Sequence, residues 1–206
     1  MQELNHLTVR SWLLPLGIAF FCVLLQLAGL GEALRFDRVS IDAGHWWLLL
    51  SCNFVHLGIS HLLLNLAGLA LIYFLLWSNY DNSGWIFITL VSSLGVGLGL
   101  YLWNPELRWY VGFSGTLHGL IIAGAIADLK RYPVSGAILL ALVIGKLIWE
   151  QLYGAMPGSA EIAGGNVVVN SHLYGAICGA FCALVLLPLK TRASGRPAAR
   201  EKTGPE

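Results

Sequence analysis

The sequence predicts an all-α membrane protein whose core is a six-transmembrane-helix bundle, and three observations lead to that prediction. Of the 206 residues, 57% are hydrophobic and only 11% are charged, whereas a soluble domain carries about 25% charged residues. The mean hydropathy is +0.71, and six apolar segments follow one another along the chain. Each approaches the length that crosses a hydrocarbon core about 30 Å thick. Because backbone groups in lipid must pair internally, the segments are helices rather than strands.

The six segments, taken in order, occupy most of the chain and leave no room for a separate soluble domain. The first is longer than the roughly 7–15 apolar residues of a signal peptide, and no small-residue cleavage site follows it, which indicates a retained span. The fourth has only about 16 residues before Lys130, roughly 24 Å of helix, and is short for a full crossing. The predicted spans lie near 12–30, 56–77, 85–103, 114–129, 134–152 and 168–189, between a cytoplasmic N-terminus at 1–11 and a disordered basic cytoplasmic tail at 190–206.

The distribution of Lys and Arg predicts the orientation of this 12–189 membrane domain. With six spans both termini share one side, and cytoplasmic loops are the ones enriched in basic residues. We therefore expect both termini in the cytoplasm, with the loops at 31–55, 104–113 and 153–167 facing outward. The outer side carries three basic residues and the inner side eight, namely Arg10, Lys130, Arg131, Lys190, Arg192, Arg196, Arg200 and Lys202.

Polar residues inside three spans are predicted to lie at one depth. His61 and Asn65 are four apart and share a face of span two, while Ser114 begins span four and His172 lies in span six. His61, Ser114 and His172 are 17, 16 and 18 residues from the inner ends of their spans. Each then sits about 24–27 Å above the inner boundary. Because intramembrane polar residues are costly, they indicate a functional site.

The chemistry of these residues favours a serine nucleophile activated by a histidine. A serine hydroxyl needs a base to take its proton, and imidazole suits that role near neutral pH. Two small-xxx-small pairs, at Gly115/Gly119 and Gly175/Gly179, predict close packing of spans four and six. No carboxylate is expected at this depth on another span, so the sequence predicts a Ser114–His172 dyad. Asn65 and His61 would be side-chain donors to the oxyanion, beside the free N–H groups that begin span four.

Each of these residues also has a structural interpretation that the sequence leaves open. Ser114 could serve only as a helix N-cap. His172 could be an interhelical hydrogen-bonding residue, and His61 and Asn65 could be polar contacts between helices. Lys146 and Glu150 are spaced i,i+4 and are expected to form a structural ion pair.

The combination of motifs resembles the rhomboid family of intramembrane serine proteases. The matching elements lie on spans two, four and six, in the order in which the family has them. That resemblance implies the minimal six-helix rhomboid fold, Ser114 as nucleophile, His172 as general base, and an oxyanion hole made by Asn65, His61 and the Ser114 backbone. The elements are His56…His61-Leu-Leu-Leu-Asn65, Gly112-Phe113-Ser114-Gly115 and Ser171-His172-Leu-Tyr-Gly175-Ala-Ile-Cys-Gly179.

Within that family the chain is most similar to the rhombosortase branch of Gram-negative bacteria. This resemblance implies substrates that end in a Gly-Gly motif, an apolar helix and a basic tail. It rests on the stretches Leu34-Arg35-Phe36-Asp37-Arg38, Gly44-His45-Trp46-Trp47, Asn65-Leu66-Ala67-Gly68-Leu69 and Ser114-Gly115-Thr116-Leu117-His118-Gly119.

The chain also departs from the family pattern at two places. Many rhomboids have Trp-Arg in the first outer loop, where this chain has Trp47-Leu48. Many place a tyrosine one turn after the nucleophile to stack on the histidine, and here His118 stands there. We expect His118 or Tyr174 to orient His172. Gly112, Phe113, His118 and Tyr174 are the candidates for substrate binding or gating, and the glycine-rich loop at 153–167 is expected to act as a lid.

The sequence leaves other functions open beside the protease. A catalytically inactive rhomboid-like protein that binds membrane proteins is the second hypothesis, although its catalytic residues are all present. A transporter is the third, but no inverted repeat is apparent. Haem or metal binding is disfavoured because His56 and His61 are a poor facing pair and HExxH is absent. We expect no cofactor, metal or nucleic acid. The expected partners are a transmembrane protein substrate and the lipid bilayer, and the oligomeric state stays open.

Overall fold

The computed structural model describes residues 9–194, and the side chains of residues 12–187. Within that range the chain is mostly helical, with two short strands outside the long helices. The elements in chain order are α1 (Val9–Leu27), α2 (Gly31–Leu34), β1 (Phe36–Asp37), α3 (Arg38–Asp42), α4 (Leu48–Ser51), α5 (Ile59–Leu76), a 3-10 turn (Trp77–Asn79), α6 (Asn82–Trp103), β2 (Trp109–Tyr110), α7 (Ser114–Arg131), α8 (Pro133–Tyr153), α9 (Ser159–Ala163) and α10 (Val169–Ser194).

Each of the six predicted spans corresponds to one long helix, namely α1, α5, α6, α7, α8 or α10. Among the described residues, four stretches are long and apolar enough to cross a bilayer. They are Ile59–Asn79, Asn82–Trp103, Pro133–Tyr153 and Val169–Leu187. The apolar stretch of α1, Trp12–Leu27, is shorter. The all-α membrane fold is thereby confirmed, while the count of six spans stays a prediction.

The predicted boundaries differ from the observed ones at both ends of the membrane domain. Helix α1 begins at Val9, inside the segment expected to be a cytoplasmic N-terminus, and residues 1–8 lie outside the described range. Helix α10 continues to Ser194. The segment 190–194, predicted to be disordered, is therefore helical, and the rest of the predicted tail, 195–206, lies outside the described range.

Helix α7 lies at the centre of the bundle and packs against α5, α6, α8 and α10. Its sequence is rich in glycine and alanine, and most of its residues are buried. Small side chains let neighbouring backbones come close, so a helix of this composition can be surrounded on every side. The residue that begins α7, Ser114, is consequently held inside the protein rather than at its edge.

The contact between α7 and α10 is made by backbone against backbone. A Cβ added at Gly175 would collide with the carbonyl oxygen of Gly115, and one at Gly179 would collide with that of Gly119. Both helices therefore need glycine at the crossing. The prediction that the two glycine pairs bring these helices together is confirmed.

The chain between α1 and α5 forms a scaffold of short elements that holds the start of α7. Strand β1 pairs antiparallel with β2, with Phe36 opposite Tyr110. The Arg38 guanidinium donates to the carbonyl oxygens of Leu100, Tyr101, Asn104 and Leu107 at 2.9–3.1 Å, satisfying the open end of α6. Ser40 donates to the Asp37 carboxylate, which lowers the pKa of that group.

We expect Gly179→Ala to destabilise the protein by about 1–3 kcal/mol, because the added methyl group meets a backbone carbonyl that has no room to shift. Thermal unfolding of the detergent-solubilised protein measures the effect. Gly17→Ala in α1 is the matched control, since a Cβ there meets nothing within 4 Å. Equal melting temperatures for the two variants would contradict a backbone contact between α7 and α10.

Candidate active site

Ser114 is the first residue of α7, and its side chain faces α10. Phe113 occupies the N-cap position and makes no side-chain capping bond. The Ser114 hydroxyl oxygen lies 2.9 Å from Nε2 of His172. The interpretation of Ser114 as a helix cap therefore does not describe its side chain. The structure brings together the two residues that the sequence predicts as a dyad.

His172 is buried and contacts a carboxylate through its other ring nitrogen. Its Nδ1 lies 2.8 Å from Oε2 of Glu150, a residue that is 3% exposed. A neutral imidazole carries one N–H, and a carboxylate can only accept. The network thus assigns the hydrogen to Nδ1 and leaves the Nε2 lone pair free to accept from the Ser114 hydroxyl. The expectation that no carboxylate lies at this depth was wrong.

Glu150 could have been found from the sequence by the same count that aligned the other three residues. Helix α8 runs in the opposite direction to α7, and Glu150 lies 17 residues from Pro133 at the start of α8. That count places it level with Ser114 and His172. The i,i+4 spacing with Lys146 favoured an ion pair instead. The ion pair exists, with Lys146 Nζ 2.6 Å from Glu150 Oε1, but the other carboxylate oxygen faces His172.

His118 is the residue that stacks on His172. The two ring centroids are 4.1 Å apart, and the ring planes differ by 18°. His118 Nδ1 lies 2.8 Å from the carbonyl oxygen of Ser114, and its Nε2 lies 3.1 Å from Lys146 Nζ. Of the two residues expected to orient His172, Tyr174 is the one that the structure places elsewhere. Its hydroxyl donates to Asn104 Oδ1 at 2.8 Å, and its ring packs against α6.

The two predicted oxyanion donors lie on the wall of the cavity that contains Ser114. His61 and Asn65 are both buried on α5. The backbone N–H of Leu57 donates to His61 Nδ1 at 3.4 Å, which leaves Nε2–H as the donor of that ring. Asn65 Nδ2 donates to the carbonyl oxygen of His61 at 3.1 Å and retains a second hydrogen.

The turn before Ser114 depends on Gly112. This residue has φ +133°, and the His61 ring lies directly where a Cβ would be. The Gly112 N–H donates to the Cys52 carbonyl at 3.0 Å, and the Gly112 carbonyl accepts from the Tyr110 hydroxyl at 2.7 Å. Burial raises the pKa of Tyr110, so this hydroxyl stays protonated. Phe113 belongs to the hydrophobic core.

The cavity has a volume of about 700 Å³ and is lined by α5, α7, α8, α10, the segment 106–111 before α7 and the segment that joins α8 to α10. His118 is the member of the predicted substrate-binding or gating set that lines it; Gly112, Phe113 and Tyr174 do not line it directly. The joining segment contains α9, which is bracketed by Gly158 and Gly164 in left-handed conformation. A Cβ at Gly165 would touch Leu57 near the start of α5. The lid role of this segment stays a prediction.

His56 lies just before α5 and is buried in the protein. Both of its ring nitrogens are buried without a hydrogen-bond partner, and its ring centroid is 5.2 Å from that of His61. The ring therefore packs edge to face against the ring of the predicted oxyanion donor His61.

One cluster among the described residues has the side chains that could hold a metal ion. The ligand atoms of His118, Glu150 and His172 lie within 4.8 Å of one another. The Lys146 ammonium already contacts His118 Nε2 and Glu150 Oε1. A divalent cation would have to displace this charge, so the donor set fits an internal ammonium better than a metal.

Comparison with known proteins gives two findings. The family described as "Rhomboid domain" matches residues 43–189, which include every residue of the site. Over 144 residues the chain is 25% identical to the Bacillus subtilis (strain 168) protein named "Putative rhomboid protease YdcA". The aligned part covers 70% of this chain and 68% of that protein.

We expect Gly112→Ala to destabilise the protein more than Gly44→Ala does. Both glycines have positive φ, so alanine at either position carries backbone strain of about 1–3 kcal/mol. Only at Gly112 does the new methyl group also meet a side chain, the His61 ring, whereas a Cβ at Gly44 meets nothing within 4 Å. Thermal unfolding in detergent measures both losses. Equal losses would show that Gly112 is needed for its conformation alone.

Proposed function

Because the chain belongs to the rhomboid family, we propose that it is an intramembrane serine endopeptidase that cleaves membrane-anchored proteins with a Ser114–His172 pair. The observation that carries the proposal is the 2.9 Å contact between Ser114 Oγ and His172 Nε2. It joins a hydroxyl and an imidazole from two helices, inside a cavity large enough for a peptide segment. A nucleophile within hydrogen-bond reach of an oriented base is the arrangement that acyl transfer requires.

The reaction follows from the proton positions in the site. As Ser114 Oγ attacks the scissile carbonyl carbon, its proton passes to Nε2 of His172. When the tetrahedral intermediate collapses, the C–N bond breaks and the leaving amine takes that proton. Water then attacks the acyl-enzyme ester, again giving a proton to Nε2. The proton returns to Ser114 as the carboxylic acid product leaves.

The negative charge of the tetrahedral intermediate would be held by donors from α7 and α5. The first N–H groups of α7 have no partner within the helix, and the helix dipole is positive at that end. The second hydrogen of Asn65 Nδ2 and the Nε2–H of His61 complete the set. Preorganised donors of this kind act strongly where water is scarce.

The proposed topology places this site near the periplasmic surface. We propose that all six long helices cross a bacterial inner membrane, with both termini in the cytoplasm. A substrate with a Gly-Gly motif, an apolar helix and a basic tail would then cross the membrane with each of these parts at a depth that suits the enzyme. Its basic tail would stay in the cytoplasm, and its Gly-Gly would reach the depth of Ser114. Such C-terminal sorting anchors are the substrate class that we propose.

An active-site fluorophosphonate probe tests the nucleophile. We expect it to label the detergent-solubilised protein at Ser114, to fail with Ser114→Ala, and to react about 100-fold or more slowly with His172→Ala, because the base no longer removes the hydroxyl proton. Mass spectrometry of the labelled peptide identifies the site. Undiminished labelling of Ser114→Ala would overturn the assignment, and an unlabelled wild type would overturn the protease proposal.

A chimeric substrate tests the substrate class. We expect proteoliposomes with the wild-type chain to cleave a reporter that ends in Gly-Gly, an apolar helix and a basic tail, and Ser114→Ala to leave it intact. Replacing Gly-Gly by Leu-Leu should reduce cleavage strongly, and gel electrophoresis measures both. Cleavage that is indifferent to this replacement would leave the protease proposal standing and exclude the Gly-Gly preference.

A further inference from the structure

The catalytic pair accounts for Ser114 and His172 but not for the charged residues beside them. Glu150 is almost completely buried, and the side chain of Lys146 is about two-thirds buried. Ionisable groups in a membrane-embedded site are costly unless they are paired. In isolated helices the order Glu before Lys is the more favourable i,i+4 arrangement, and here Lys146 comes first. The stability of α8 alone therefore gives little reason for the pair.

The hydrogen bonds of these groups close into one ring, in which each bond has an assigned donor and acceptor. Lys146 can only donate, so His118 Nε2 must accept from it and His118 Nδ1–H donates to the Ser114 carbonyl. Glu150 can only accept, from Lys146 at Oε1 and from His172 Nδ1–H at Oε2. His172 Nε2 then accepts from the Ser114 hydroxyl. The ring begins and ends at Ser114, and every bond has one donor and one acceptor.

The contact between Lys146 Nζ and His172 Nδ1 is different, because both atoms carry hydrogen in this assignment. They lie 3.5 Å apart, at the limit of a hydrogen bond. The ammonium therefore does not bond to the base. It lies close enough to oppose a positive charge on His172, while the Glu150 carboxylate at 2.8 Å favours that charge.

We propose that Glu150 is a positioning residue that holds His172 in the tautomer able to accept the Ser114 proton, and that Lys146 keeps the Glu150 carboxylate ionised inside the membrane. This inference rests on the proposed function. It turns the predicted dyad into a triad with an internal counter-ion. During the reaction the proton moves only between Ser114 Oγ, His172 Nε2 and the leaving group. Glu150 takes no proton.

The opposing effects of the Glu150 and Lys146 charges allow His172 to release its proton again after it has taken it up. A carboxylate alone beside His172 would favour the imidazolium, whereas the neighbouring ammonium disfavours it. The groups that face His172 are Glu150 and Lys146 from α8, His118 from α7, and His61 from α5. Because His118 and His61 are neutral in the assigned network, the balance depends on the α8 pair.

Glu150→Gln tests the role of the carboxylate. Lys146 would draw the amide oxygen to itself, which turns the amide NH₂ toward His172 Nδ1. Nδ1 must then accept, the hydrogen moves to Nε2, and His172 can no longer take the Ser114 proton. We expect the second-order rate constant for fluorophosphonate labelling to fall by about 10²–10⁴-fold, as wrong-tautomer variants of serine triads do. Glu32→Gln, an exposed glutamate in α2 that pairs with Arg35, is the matched control and should label at the wild-type rate.

The double variant Lys146→Met/Glu150→Gln gives the diagnostic result. Without the ammonium the amide is free to turn its oxygen to His172 Nδ1–H, so the productive tautomer returns. We expect the probe to label this double variant at least tenfold faster than it labels Glu150→Gln alone. A merely structural role for the ion pair predicts the opposite, since the second substitution would add to the damage.

A second comparison remains informative even if Glu150→Gln does not fold. Lys146→Met/Glu150→Gln and Lys146→Met/Glu150→Met both lack buried charge and differ only in the acceptor offered to Nδ1. We expect the variant with glutamine to label at least tenfold faster, with similar thermal unfolding of both. Equal labelling rates for these two double variants would overturn the inference. A labelling rate of Glu150→Gln within about threefold of the wild-type rate would overturn it as well. Failure of the wild type to label would instead overturn the proposed function itself.

Discussion

The site depends on one close approach, the crossing of α7 and α10 at glycine. With Gly175 seated against the Gly115 carbonyl and Gly179 against that of Gly119, the two backbones touch without side chains between them. Ser114 precedes the first contact on α7, and His172 precedes it on α10. A hydroxyl and a ring can then meet at 2.9 Å. Larger residues at the crossing would separate the helices by more than such a bond can span.

The second constraint is that polar groups in a membrane domain must satisfy one another. Water is scarce there, so an unpaired donor or charge is expensive. The protein meets this cost by linking Ser114, His172, Glu150, Lys146 and His118 into one ring of hydrogen bonds. The same bonds that stabilise the buried charges also fix the tautomer of each histidine. Stability and chemical orientation therefore come from the same contacts, and the cavity leaves room for substrate beside them.

The sequence allowed the long helices and the approach of Ser114 to His172 to be predicted, because both depend on local patterns. Apolar length and internal backbone pairing identify spans, and glycine at intervals of four identifies faces that can touch. Depth could be obtained by counting, because the helix rise is constant. The same count fits Glu150 as well, but the lysine four residues before it gives that carboxylate a sufficient local explanation. The arrangement of α2, α3 and α4, and the pairing of β1 with β2 across two different connections, could not be predicted, because it depends on contacts with one another and with α6.

By itself the sequence predicted a helical membrane protein with a serine and two histidines at one level, since hydropathy and helical rise are properties of each segment alone. Only the tertiary structure decided how those residues are joined. It placed Tyr174 against α6, stacked His118 on His172, and brought Glu150 into contact with His172 as well as with Lys146. Rotation of a helix about its axis sets which neighbour a side chain meets, and that rotation is determined by packing between helices rather than by any one of them.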